Sequence, residues 1–542
     1  MRGTMMDYPL TLTTILERAG KYFPTVEIVS RAPDGSISRS NYGAFYRRAR
    51  NLAAVLQRLG MKPGDRVASM MWNHAAHLET FFAVPCAGGI LHTLNIRLQP
   101  QEIAAIVNHA RDRFLIIDDV LLPLLVQFRD QVDFERVIVV RHTPAPLAAG
   151  NIDYEELARG GGDYFRYPKI DENDGAAMSF TSGTTGAPKG VVYSHRALVL
   201  HSFGCALKEI CNIGYDDTVL VIVPMFHVNA WGLPFTAAML GARQVLPGPR
   251  YDAVSLLELM TSEGVTLAGG VPTIWLAIAE ELEKHPGKWR FARPVRAGVG
   301  GSAPPTELFR RLGRHGIDVK HLWGMTESSP LGIAGGLKPH IREWDEERQL
   351  EMRAKQGMPA PFVEMRLMRP DGEAPWDGET SGEIEMRGPW VTASYYEDPS
   401  QKERWSPDGW FRTGDVATMD ADGYVKIVDR VKDLVKSGGE WISSVELENM
   451  LMGHPAVKEA CVVGIPHPKW LERPLAAIVL RDGATATEDE LREFLARSFR
   501  KWQLPDAFVF VDSIPRTSVG KFKKSALREH YAGWDWGKSA QS

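Results

Sequence analysis

Apolar residues recur at three- and four-residue spacings between Gly43 and Gly60, with Phe45, Ala49, Leu52, Ala53, Leu56 and Leu59 on one side of a 3.6-residue period. The spacing predicts an amphipathic helix over 43–60, ended by Gly60. The Lys-Pro-Gly-Asp stretch at 62–65 reads as a turn, and the apolar run from Val67 to Met71 as a buried strand. The alternation then repeats. A helix at 101–110 precedes a strand at 114–118, a helix at 256–264 precedes a strand at 265–270, and a helix at 307–316 precedes a strand at 317–323. This rhythm predicts α/β architecture with largely parallel sheets.

Beyond about residue 360 the period shortens to two. Segments 363–369, 382–388 and 423–430 alternate apolar with polar, and Asp-Gly pairs at 371–372, 408–409 and 422–423 supply tight turns. A small antiparallel or barrel-like region is expected there. A Gly-Gly turn at 438–439 then leads into a helix start with Ser443 or Ser444 as cap. A last α/β segment follows, long enough for a small separate domain. The expected division is 1–431 and 432–542, hinged near Lys432.

Composition narrows the function classes. Of 542 residues, 44% are hydrophobic and 24% charged, the balance of an ordinary globular chain. The net charge of −4, from 63 Lys+Arg and 67 Asp+Glu, gives no basic excess for nucleic acid and no acidic tail. Cys86, Cys205, Cys211 and Cys461 form no C-x-x-C pair and read as reduced thiols of a cytoplasmic protein. The N-terminus lacks the apolar core of a signal peptide, and no run of about 18 apolar residues predicts a membrane span.

The chemistry concentrates in six segments. Residues 179–190, Ser-Phe-Thr-Ser-Gly-Thr-Thr-Gly-Ala-Pro-Lys-Gly, crowd the hydroxyls of Thr181, Ser182, Thr184 and Thr185 around Gly183 and Gly186, with Lys189 close behind. Small residues expose backbone N–H groups, so such a loop can wrap a polyphosphate. It is not a Walker loop, because Pro188 stands sixth from Gly183 and Gly190 follows Lys189. His227 lies in an apolar run before Trp231, where a histidine is commonly structural. Gly300 and Gly301 allow close approach to a ligand, and Trp323 offers a face for adenine. Thr326 and Glu327 pair a hydroxyl with a carboxylate, the donor chemistry of a magnesium site. Asp415, after Thr413 and Gly414 at the end of a short strand, is a carboxylate able to accept two ribose hydroxyls. Lys521 follows Gly520 in a Pro- and Thr-containing loop, where a solvated lysine is the ordinary reading.

Together and in this order, the segments resemble the motifs of the adenylate-forming superfamily of acyl-CoA synthetases, peptide-synthetase adenylation domains and beetle luciferases. The chain is similar to medium- and long-chain fatty-acid–CoA ligases and 3-methylmercaptopropionate–CoA ligases. One departure is aromatic for aromatic: Trp-Gly-Met-Thr-Glu at 323–327 replaces the family's Tyr-Gly-x-Thr-Glu. The resemblance implies ATP, Mg2+ and coenzyme A, with a carboxylic acid adenylated and then passed to the thiol. It implies Lys521, His227 and Glu327 as catalytic residues. Thr181, Ser182, Gly183, Thr184, Thr185, Gly186 and Lys189 are implied on the phosphates. Gly300, Gly301, Ser302, His321, Trp323, Gly324, Met325, Thr326, Asp415, Arg430, Lys432 and Lys436 are implied on the rest of the nucleotide. Thr181 and Glu327 would serve the metal. Trp231, Gly232 and Pro330 would line an acyl pocket, joined by Leu233 and Leu331. Gly438, Gly439, Glu440 and Trp441 would flank the coenzyme A channel. Related enzymes are often homodimers. A free-standing adenylation enzyme that loads a carrier protein, a nucleotide-binding regulator without catalysis, and a luciferase-type oxygenase are the alternatives.

Overall fold

A computed structural model describes residues 1–542 except 2, 161–164, 182–187, 439, 518–519 and 537–542. The helix expected from Gly43 spans Tyr42–Arg58, one residue earlier than its apolar pattern, because the Asn41 side chain caps it by accepting from the Ala44 N–H at 2.9 Å. The helix Ala253–Ser262 also begins ahead of its apolar run, since Asp252 accepts from the Ser255 N–H at 2.9 Å. The following strands, Arg66–Met70, Asp112–Asp118, Leu267–Gly270 and Ile317–Trp323, lie where the alternation placed them.

Two large sheets form the body. One has nine strands, with a parallel centre of Glu27–Arg31, Arg243–Leu246, Thr218–Leu220, Leu267–Gly270, Val295–Val299 and Ile317–Trp323. The other has seven strands, all parallel neighbours except the last pair. That pair is an antiparallel hairpin of Gly175–Phe180 and Gly190–Ser194, and its turn is the Thr- and Gly-rich segment. Parallel strands deliver their following loops to one edge, where α/β proteins bind ligands. The shared core between the sheets is aromatic. Phe45, Phe82 and Phe235 are buried, with Phe82 meeting both others edge-to-face at 5.3 Å.

A third, five-stranded antiparallel sheet holds Glu364–Arg369, Gly382–Arg387, Phe411–Met419 and Val425–Arg430. Asp415 therefore sits mid-strand and not at a strand end. Gly414, at φ 77°, lets the chain kink there, and the register with Val425–Arg430 shifts between Val416 and Ala417. After Arg430 the chain enters a separate sheet of Val435–Ser437, Glu440–Ile442, Val457–His467, Leu471–Leu480 and Ala507–Phe510. Ser443 caps the helix Ser444–Met452 by accepting from the Glu446 N–H at 3.1 Å. No helix among the described residues is long and apolar enough to cross a membrane.

One side chain stitches the two large sheets together. Asn73, fully buried after the strand Arg66–Met70, donates to the Val221 and Val223 carbonyls at 2.8 Å and accepts from the Met225 N–H at 2.8 Å. Removing it orphans three buried backbone groups. Asn73→Ala is expected to lower stability by about 3 kcal/mol, read as an earlier chemical-denaturation midpoint; an unmoved midpoint would show that the stitch contributes nothing.

Candidate functional site

Six segments far apart in sequence border one cavity of about 680 Å³. Thr181 and Lys189 come from the hairpin turn, Gly300 and Gly301 from the end of Val295–Val299, and Trp323 to Glu327 from the end of Ile317–Trp323. Thr413, Gly414 and Arg430 come from the antiparallel sheet, while Lys432 and Lys521 close the far side. A second cavity of about 490 Å³ adjoins it, sharing Gly301, Trp323, Arg430, Lys432 and Lys521 and adding Ser302, His321 and Asp415. Ser182 to Gly186 lie outside the described residues, as does Gly439.

Asp415 is the best-held anion of the site. Its two oxygens accept from the Trp323 indole N–H and the Arg430 Nε, each at 3.0 Å, and its backbone N–H donates to Thr413 Oγ1 at 3.0 Å. The negative charge of Asp415 raises the Arg430 pKa, so that cation is permanent. The indole ring is fixed from the other side by Gly332, where a Cβ would lie 2.6 Å from it. The tryptophan that replaces the family's tyrosine thus gives the aspartate a hydrogen-bond donor.

Glu327 is buried, with one carboxylate oxygen accepting from the Tyr395 hydroxyl at 2.6 Å. Thr326 is held through its carbonyl, which accepts from Tyr193 Oη at 2.9 Å. The turn of the hairpin closes on itself: the Thr181 N–H donates to the Lys189 carbonyl at 2.9 Å, and the Lys189 N–H donates to Thr181 Oγ1 at 3.1 Å. The Lys189 ammonium donates to Gln401 Oε1 at 2.6 Å and lies 5.3 Å from the Tyr395 ring centre. Tyr395, Gln401 and Arg404 border the cavity without any sequence signature announcing them.

Lys521 reaches the cavity from a tight loop. The Thr517 N–H donates to the Lys521 carbonyl at 2.7 Å, and the Lys521 N–H donates to Thr517 Oγ1 at 3.2 Å. A Cβ on Gly301 would stand 3.5 Å from Lys521 Cε, so the lysine lies along the glycine pair. Burial first, and then the charge of Arg430, pulls its pKa down to about 8. Burial also pushes His227 down to about 3, with Lys521 and Arg97 adding to the effect, so its ring is neutral. His321, held at about 4 by burial, has its Nδ1 2.9 Å from the Ala354 carbonyl.

The backbone before Trp231 is left-handed. Val228, Asn229, Ala230 and Trp231 have φ of 45°, 50°, 52° and 56°, a conformation costing roughly 1–2 kcal/mol per residue. It lays the indole over Gly269 and Gly300, where added Cβ atoms would each stand 3.3 Å from the ring. Gly232 follows at φ 70°, packed on His201, and does not border either cavity. Past Trp231 the large cavity runs between Leu233, Leu267, Leu322, Pro330 and Leu331 to Cys205, Cys211 and Lys320.

Four expected residues stand elsewhere. Gly438, Glu440 and Trp441 form a hairpin of the last sheet, with Trp441 half-exposed, and border neither cavity. Lys436, on the same hairpin, is exposed, and its N–H donates to Glu472 at 2.9 Å.

Residues 16–396 match the family model described as AMP-binding enzyme, and 446–521 that of the AMP-binding enzyme C-terminal domain. The chain is 50% identical over 535 residues to a long-chain-fatty-acid–CoA ligase of Thermus thermophilus, covering 98% of this chain and 97% of that protein. It is 43% identical over 537 residues to a 3-methylmercaptopropionyl-CoA ligase of Ruegeria lacuscaerulensis, covering 98% and 99%. ATP-bound MatB from Rhodopseudomonas palustris has a similar structure, with a TM-score of 0.81, 25% identity, and coverage of 97% of this chain and 99% of that one.

Trp323→Phe keeps an aromatic face and removes only the N–H to Asp415. Calorimetric titration with ATP is expected to show about tenfold weaker binding, the scale of one hydrogen bond to a charged group. Unchanged affinity would mean that the indole N–H does not organise the aspartate.

Proposed function

The chain belongs to the AMP-binding enzyme family, and from that membership we infer that it is an AMP-forming acyl-CoA ligase. The observation that carries the reading is the convergence of Lys521, Lys189 and Thr181 on a cavity that continues past Trp231 into a channel walled by Leu233, Leu267, Leu322 and Leu331, with Lys208, Arg296, Asp318 and Lys320 also on its lining. A polyphosphate suits the cationic part, and the tail of an organic acid suits the channel. The acid is a medium- or long-chain fatty acid or a small thioether acid such as 3-methylmercaptopropionate.

In the first half-reaction the acid's carboxylate oxygen attacks the α-phosphorus of ATP, and the bond to the pyrophosphate oxygen breaks. Charge builds on the phosphoryl oxygens and the leaving group, where cations already in place lower the barrier most. Lys521 and Lys189 stand there as such cations, Asp415 with Arg430 orients the ribose, and Trp323 backs the base. Glu327 and Thr181 offer hard oxygen donors at the cavity wall, which fit a magnesium ion. Bound there, the ion would neutralise phosphate charge. In the second half-reaction the coenzyme A sulfur attacks the acyl-adenylate carbonyl carbon, the thiol proton is lost, and AMP departs. The mixed anhydride is already activated, so this step needs thiol access and orientation above all.

Lys521 faces the cavity while Gly438 and Trp441 face away, although all lie beyond Arg430. One small domain, 432–542, serves the two half-reactions in turn by rotating about Lys432. Acid-dependent exchange between ATP and pyrophosphate, screened over carboxylic acids of graded length and thioether acids, tests the activity; no exchange with any of them would overturn it. Lys521→Ala is expected to cut that exchange by at least about a hundredfold and to leave thioester formation from supplied acyl-adenylate nearly intact. Equal loss of both would remove the alternation.

The sign of the pH effect follows from Lys521. It is cationic below about pH 8 and neutral above, so kcat/KM for adenylation is expected to fall on the alkaline side with a midpoint near that value. Lys521→Arg, which cannot deprotonate, should carry that limb upward in pH. A limb that stays in place would assign it to another group.

A further inference from the structure

His92 lies on the strand Ile90–Thr93, paired opposite Met178 in the strand that leads into the Thr- and Gly-rich turn. It is fully buried, and so is Asp112, at the start of the strand Asp112–Asp118 two places along the same sheet. The His92 Nδ1 is 2.8 and 3.0 Å from the two Asp112 oxygens. That nitrogen therefore carries a hydrogen and donates it to the carboxyl group. The other nitrogen, Nε2, is buried and has no hydrogen-bond partner among the described residues. An orphaned ring nitrogen in a protein interior is uncommon and needs an explanation.

The surroundings supply one. His92 borders a small chamber of about 20 Å³, together with Thr93, Asn95, Thr181, Phe226 and His227. That is room for one water molecule, and the wall is polar enough to hold it. Thr181 and His227 border the large cavity as well. They are the partition between chamber and site. The His227 ring also makes no hydrogen bond to a described residue, although its backbone is fixed by donation to the Pro224 carbonyl at 2.9 Å. Two imidazoles without ring partners on the outward side thus border one water-sized space.

We propose that the chamber holds a single ordered water bonded to His92 Nε2 and to the ring of His227, which makes the Asp112–His92 pair a positioning device for His227. Asp112 fixes which edge of the His92 ring faces the chamber. The water passes that orientation to His227, and His227 presents a fixed ring edge to the reacting groups. His92 touches no substrate and acts through its neighbour. The inference rests on the ligase reading for the reaction it serves.

A crystal structure of the wild-type protein at high resolution is the first test. It is expected to show a water within hydrogen-bond distance of both His92 Nε2 and a His227 ring nitrogen. A dry chamber, or a water that bonds Thr181 and not His227, overturns the proposal. The second test is acid-dependent ATP–pyrophosphate exchange by His92→Phe and His92→Gln, with melting curves recorded alongside. His92→Phe is expected to lose kcat by about ten- to a hundredfold with KM for ATP nearly unchanged, and His92→Gln, which keeps a polar end, to recover to within about threefold of wild type. Equal kcat in wild type and His92→Phe, or equal loss in both variants at unchanged melting, overturns it. Exchange by the wild type itself separates this outcome from failure of the ligase reading.

Discussion

Three cations share one wall of the site, and their mutual repulsion is the constraint around which the rest is arranged. Burial is the larger cause of the low Lys521 pKa; beyond it Arg430 and Lys432 press the value downward, while Asp415 and Glu327 oppose them. Asp415 is already engaged by Trp323 and Arg430, and Glu327 by Tyr395. Those hydrogen bonds leave both carboxylate charges in place; the field stays positive because Arg430, Lys432 and Lys521, with Lys189 and Arg404 on the same cavity wall, outnumber them. A polyanion relieves that repulsion wherever it enters. Its binding energy then includes the relief, and it favours the arrangement in which Lys521 faces the cavity over any in which it does not.

The partition that Trp231 makes within the large cavity is built from strain and from absent side chains. The left-handed run Val228 to Trp231 costs backbone energy that only packing can offset. Its product is an indole laid across Gly269 and Gly300. Gly300 is required twice over, since a Cβ there would also stand 2.8 Å from the Leu322 carbonyl. A residue at that position cannot grow without moving either the indole or the strand that carries Trp323. The two sides of the partition are thus coupled through a contact a few atoms wide.

Local patterning made the α/β elements legible because each depends on periodicity within one segment. The strand Ile317–Trp323 and the helix Tyr42–Arg58 follow directly from spacing, and the errors at helix starts come from caps such as Asn41 and Asp252 that lie outside the apolar run. Residues of the six motifs were readable for a different reason, since phosphates, ribose and magnesium demand particular groups in short spacings. Tyr395, Gln401 and Arg404 were not readable. Tyr395 reaches the cavity from an irregular stretch and the other two from the short 3-10 helix Pro399–Arg404, and each acquires its meaning only by meeting Glu327, Lys189 or the Thr413 carbonyl across the fold. His92 and Asp112 were invisible likewise, because an ordinary strand residue becomes notable only when its far nitrogen is found without a partner. Spacing placed Asp415 at a strand end; the strand continues because Gly414 absorbs the kink.

Beyond Arg430 the chain crosses into its last sheet over a polar junction. The Val425–Arg430 strand meets the helix Ser444–Met452 through polar contacts: Asp429 Oδ2 accepts from the Ser444 N–H at 2.7 Å and its hydroxyl at 2.5 Å, the Val428 carbonyl accepts from the Ser443 hydroxyl at 2.5 Å, and Lys426 pairs with Glu446 at 2.5 Å. The apolar cores beyond this line, around Val435, Leu447 and Val462 and around Cys461 and Leu475, draw no buried residue from before it. Interfaces that are polar and small permit relative motion, whereas a shared apolar core would forbid it. Breaking these hydrogen bonds would cost about 1.5–3 kcal/mol for each one to a charged group but would tear open no shared apolar core, so the junction selects an orientation without locking it. A polyanion bound between Lys521 and Lys189 would add its attraction to these contacts, the same electrostatic relief that makes the cationic wall tolerable.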